Sequence, residues 1–157
     1  MNLFRANKAI EAAICESERL AVRSNIAVVD AGANLVAFAR MDNSPLGTVD
    51  ISIKKAKTAV LFQVPTGELS DVYAQSLRGV SQVSGAMRSV TGPNGFGGQH
   101  FDLLSNTGAT GDVITISGGV PIFNAARVLI GGIGVSSGGN VNTCDLRIAN
   151  VGKNAAK

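Results

Sequence analysis

The chain has 157 residues, 45% apolar and 16% charged, with a net charge of +3 and a pI near 9.1. That length fits one domain, residues 1–157, with a sizeable core, and the composition excludes a disordered chain. The basic residues are scattered and their one cluster, Lys54, Lys55 and Lys57, lacks interleaved aromatics, so nucleic-acid binding is set aside, and no apolar run is long enough to span a membrane.

The low charge fraction leaves more apolar surface than one small domain hides easily, which implies a homo-oligomer, a dimer or higher. Two cysteines, Cys15 and Cys144, are too few for a disulfide framework, and the N-terminal stretch has no secretory pattern. A reduced, cytoplasmic setting is the expectation.

Residues 3–23 carry a helical period through Leu3, Ala6, Ile10, Ala13, Ile14, Ser17, Leu20 and Ala21. Asn25 to Asp42 then reads as two strands joined by a turn at Asp30–Asn34. Both strands are apolar almost without alternation, which predicts a hairpin in the middle of a sheet, covered on each face. It delivers Arg40 and Asp42 where the second strand runs out.

Thr48 is the expected cap of a second helix running to about Phe62, with Val49, Ile53, Ala56 and Val60 inward. Lys55 and Thr58 share a face of it; a lysine so placed either snorkels or points at an anion. Pro65 stops that helix, and Thr66 starts another that ends at Gly79. Residues 80–91 carry no clear pattern. Gly92–Gly111 holds six glycines and the chain's one histidine, His100, and loops of that length are functional or disordered. Strands follow at Val113–Ser117 and Val128–Val135, with Gly118–Ile122 as a turn between them. A last helix follows Ser136–Asn140, with Val141, Cys144, Ile148 and Val151 inward and a frayed tail from Lys153 to Lys157. Antiparallel strands with helices grouped apart predict an α+β fold of about five strands.

Four short motifs bear on chemistry. Gly134-Val135-Ser136-Ser137-Gly138 matches G-x-S-x-G, but the hydrolase histidine should follow the serine, and His100 precedes it. Gly132-Ile133-Gly134 leaves too little chain for a dinucleotide-binding unit. His100 and Asp102 form H-x-D with no nearby cluster, so no metal site is assigned. Gly138-Gly139-Asn140 is either an anion seat at a helix start or a plain turn and cap.

Arg40 suits a carboxylate clamp, with His100 or Asp42 moving a proton, as in an isomerase or lyase acting on a small anionic substrate. Alternatively, Arg40 and Asp42 pair with each other, or with a neighbouring subunit, to fix the hairpin's end.

The ordered set AVVDAGANLVAFARMD, Lys55-Ala56-Lys57-Thr58-Ala59 with Phe62, Pro65-Thr66, GGVPI at 118–122, GGIGVSSGG at 131–139, and Asp145 resembles the GlcG/HbpS-like (DUF336) family of small haem-binding or haem-degrading-type proteins. That family also supplies the C-terminal domain of PduO-type corrinoid adenosyltransferases. The resemblance implies a profilin-like antiparallel sheet with helices on its faces, assembling into dimers or larger rings, and haem or a related tetrapyrrole as ligand. Matched positions that would line a pocket are Arg40, Asp42, Lys55, Thr58, Gly119 and Ser136. The chain departs from the pattern in a long segment from about Ser81 to Gly111, which carries His100, and in an extra serine at Ser136-Ser137-Gly138.

Overall fold

A computed structural model describes residues 1–68, 114, 116–139 and 141–157. The glycine-rich loop, His100, Asp102 and most of the helix expected after Pro65 lie outside them.

Helix α1 spans Leu3–Arg19, its first turn closed by the Asn2 side chain accepting from Arg5 N at 3.0 Å. It stops short of the expected Arg23 because Ala21 takes a left-handed φ of 54°, bringing Val22 N back to Ser17 O at 3.0 Å. Its inward stripe is Ala6, Ala9, Ile10, Ala13 and Ser17, whereas Leu3 overhangs the end and is exposed.

Strands β1 (Ser24–Asp30) and β2 (Leu35–Arg40) form the expected hairpin. Asp30 Oδ1 closes the turn by accepting from Gly32 N and Asn34 N, both at 2.9 Å. The four-stranded antiparallel sheet runs β2-β1-β4-β3, with β3 at Gly119–Phe123 and β4 at Leu129–Ser137. Only half of the hairpin is therefore central. β1 is buried on both faces, but β2 is an edge strand with partly exposed side chains and Leu35 at 49% exposure.

The expected turn at Gly118–Ile122 is mostly strand. Pro121 fits there because β3 is the other edge, where a missing N–H can face outward. The true turn is Asn124–Val128, built like the first: Asn124 Oδ1 accepts from Val128 N at 2.9 Å, and Arg127 takes φ 60° where Ala33 takes 63°. The fifth strand expected at Val113–Ser117 does not form at Ile114, Ile116 or Ser117.

Helix α2 (Thr48–Phe62) covers one face of the sheet, with Ala56 and Val60 on Ala27 and Val29. It packs on bare backbone: a Cβ at Gly134 would run into Ser52 O and stand 2.5 Å from Ala56 N. A single π-type turn, Val141–Asp145, leads into α3, Leu146–Ala155. α1 and α3 together cover the opposite face, where Ala6, Ile10, Ala13, Ile148 and Ala149 meet Ile26, Val28, Ile122, Ile133 and Val135. The tail does not fray as expected: Ala156 is fully buried in this core, which holds the last turn down. The architecture is α+β, an antiparallel sheet with helices on both faces.

Candidate functional site

At one end of the sheet β1 and β3 begin while β2 and β4 finish. That end gathers Arg40, Asp42, Ser136, Gly119 and, from α2, Lys55. The ordered family segments therefore converge in space.

Lys55 is fully buried, and its Nζ donates to Asp145 Oδ2 at 2.8 Å and to Val135 O at 2.9 Å. The other Asp145 oxygen accepts from Ser137 N at 3.1 Å and Ser137 Oγ at 2.6 Å. Burial lowers the Lys55 ammonium below the usual lysine range and raises the Asp145 carboxyl, while their mutual attraction opposes both shifts. With one cation and two neutral donors on the carboxylate, the geometry is that of an ion pair whose polar atoms are answered inside the protein. The lysine points at an anion, and that anion is Asp145.

Gly118 and Gly119 make room for the pair. Gly118 holds φ 121°, and a Cβ there would stand 2.8 Å from Asp145 Cβ and 3.0 Å from Lys55 Nζ. Gly119 lies against Lys55 backbone and donates its N–H to Thr66 Oγ1 at 2.9 Å, while Thr66 donates to Ile116 O at 2.6 Å. Thr58 is fully buried and its Oγ1 accepts from Ile114 N at 3.0 Å. Ser136 is buried beside Asn25, whose side chain holds Pro45 O, Thr48 Oγ1 and Ser44 Oγ. Thr48 thus serves Asn25, and α2 starts with no side-chain cap.

Arg40 and Asp42 stand apart from this sealed cluster. Both are exposed, and no ion pair joins them to each other among the described residues. His100 falls outside the described residues, so the proton-transfer set of His100, Asp42 and Arg40 is not brought together by them.

Sequence reasoning missed Asp145, Ser137, Asn25 and Thr66 as the residues that complete this end. A lysine sharing a helix face with Thr58 was the available signal, since a cation buried there demands an acid somewhere in the chain.

At the opposite end, an open cleft of about 350 Å³ lies between the β3–β4 turn and α3, lined by Pro121, Phe123, Asn124, Ala125, Lys153 and Lys157. A bound haem would need an axial ligand, apolar walls and cations for its carboxylates. Among the described residues, Met41 sulfur is buried and accepts from Ser24 N at 3.4 Å, Cys15 is exposed on the outside of α1, and Cys144 is half-buried. No described residue is a histidine. These residues do not fit haem iron by themselves. No three metal-ligating side chains gather among the described residues, and no described helix is long and apolar enough to cross a membrane.

Comparison with solved structures places the chain beside three related folds. The PduOC:heme complex is 28% identical, with 99% of this chain and 94% of that one covered and a TM-score of 0.71. A double mutant of HbpS from Streptomyces reticuli is 25% identical over 98% and 85% of the two chains, also at TM-score 0.71. The Klebsiella pneumoniae protein ORFY is similar in fold, at 24% identity, 99% and 90% coverage and a TM-score of 0.73. No curated protein matches in a sequence search. The family described as "Haem degrading protein HbpS-like" matches residues 1–152. With the antiparallel sheet, the two helical layers and the ordered motifs already in place, the chain belongs to the HbpS-like family.

Proposed function

We propose that this protein binds a small ligand of the tetrapyrrole class, haem or a close relative, as one HbpS-like domain over residues 1–157. The observation that carries the reading is the likeness to PduOC, solved as a haem complex, at 28% identity across almost the whole chain. In this reading Lys55, Thr58, Gly119 and Ser136 fix the sheet end that supports the site, since all four are buried and Lys55, Thr58 and Gly119 bond to protein partners. Arg40, exposed at the rim, is the cation available to an acidic group, and His100 is the axial-ligand candidate. The apolar outer edge of β2, with Leu35 exposed, suits coverage by a second copy of the chain.

The proton-transfer alternative draws no support from the described residues, where Arg40 and Asp42 are exposed and share no ion pair. Hemin titration tests the proposal directly. A saturable Soret shift that weakens in His100→Ala is expected; a linear response without saturation would refute tetrapyrrole binding. An unchanged shift in His100→Ala would remove His100 as ligand.

A further inference from the structure

We infer that the cleft between the β3–β4 turn and α3 is a binding site for a small organic anion with an apolar body, an aryl or short-chain carboxylate. The inference stands independently of tetrapyrrole binding, because the cleft lies at the other end of the sheet from the cluster around Lys55. Its volume, about 350 Å³, falls within the range of small-molecule sites.

Two kinds of wall meet there. Pro121, buried, and Phe123, half-buried, offer an apolar floor from an edge strand. The adjoining turn is already fixed, with Val128 N donating to Asn124 Oδ1 at 2.9 Å and Arg127 N to Asn124 O at 3.0 Å. A ligand would find this wall formed and need not order it. The facing wall carries Lys153 from α3 and Lys157 from just beyond the helix's end.

Neither lysine is in an ion pair among the described residues. Like charges so placed repel, and burial adds to the strain on Lys153. Its ammonium is held below the usual lysine range first by burial and then by Lys157, with Glu68 opposing from a distance. A carboxylate between the two ammonium groups would relieve the repulsion, and its hydrocarbon part would cover Phe123. The charge selects an anion, and the floor selects one with an apolar body.

The test uses the full chain labelled with ¹⁵N and titrated separately with benzoate, benzyl alcohol and inorganic phosphate. Benzoate should give saturable amide shifts at Phe123, Ala125, Lys153 and Lys157, with benzyl alcohol and phosphate each weaker by about ten-fold or more. A Lys153→Met, Lys157→Met double variant keeps the stems and should lose about ten-fold or more in benzoate affinity with an unchanged melting temperature. In the benzoate complex the Lys153 amine should titrate nearer to 10.5, because a neighbouring anion favours the charged form. Shifts that never saturate, that map elsewhere, or that persist at equal affinity in the double variant would overturn the site. Phosphate binding as tightly as benzoate would overturn the apolar half of the proposal. Failure of the hemin titration would leave all these outcomes unaffected.

Discussion

Lys55 and Lys153 are both held below the ordinary lysine range by burial, yet the two ends of the molecule treat them differently. Lys55 is sealed, with a carbonyl and an acid supplied from 80 and 90 residues away. Lys153 sits half-buried at an open cleft, where the charge of Lys157 acts on it more strongly than that of Glu68. A cation that the protein has already answered is structural, because its charge is spent inside. A cation left facing its own kind at an opening is one that a ligand can answer. The first lysine lies within the segments matched to the family, whereas the second lies outside them.

The sharpest way to break this contrast is at the sealed pair. Asp145→Ala strands a buried ammonium and should cost about 3–5 kcal/mol, read as a fall in urea midpoint. Replacing both members, Lys55→Met with Asp145→Leu, should cost less than that single change, because no uncompensated charge is left. If the double variant is the less stable, the pair contributes more than mutual neutralisation.

Gly134→Ala comes next. The groups in the way are backbone atoms of α2, so the helix must move, at roughly 1–3 kcal/mol by denaturant melting. A smaller loss would mean that the α2 layer shifts easily and that Lys55 is less firmly held than its contacts imply.

A third prediction concerns a half-exposed counterpart to the sealed pair. Glu16 accepts from Arg19 at 2.7 Å and from Arg147 at 2.6 Å, and its carboxyl is pushed down to about 2, chiefly by the Arg19 bond. The folded value lies below the ordinary 4.5, so its contribution is whole above that pH and disappears as pH falls toward 2. Glu16→Gln should flatten that acid limb of the stability profile and leave the limb above neutrality unchanged.

The smallest effect is expected at Lys153→Met, within about 0.5 kcal/mol at neutral pH. Its sign has a pH signature. The folded protein disfavours the charged lysine, so the native chain should gain stability relative to the variant as pH rises toward 10.5. A gap that closes in the other direction would mean that Lys153 has a stabilising partner.

Much of the scaffold was legible in the sequence, because periodicity and turn residues are local. The hairpin turn, the inward stripe of α1 and the antiparallel pattern follow from nearby residues, whereas α2 buries Ser52, Lys55, Thr58 and Ala59 beside the expected Ala56 and Val60, with Val49 and Ile53 only partly covered. The edge position of β2 was not legible, since its side chains are as apolar as those of β1 and only strand order separates them. Gly134 reads locally as part of a hydrolase motif, but in the fold it is the flat ground on which α2 rests. Ser137, read only as one of two adjacent serines, proves to be a donor to Asp145. Lys55 was visible as a lysine that either snorkels or points at an anion, and its role waited on a partner far along the chain.

The π-type turn before α3 has a consequence for how the molecule assembles. It presents Asp145 toward α2 and, two residues later, Arg147 toward α1, so one short segment fastens both helical layers. These links span 90 and 131 residues, and neither can close until the C-terminal helix is present. A chain emerging N-terminus first must therefore leave Lys55 without its acid until the segment leading into α3 has been made. Because the Asp145 clasp closes late, weakening it should appear mainly as faster unfolding, with little change in the folding rate.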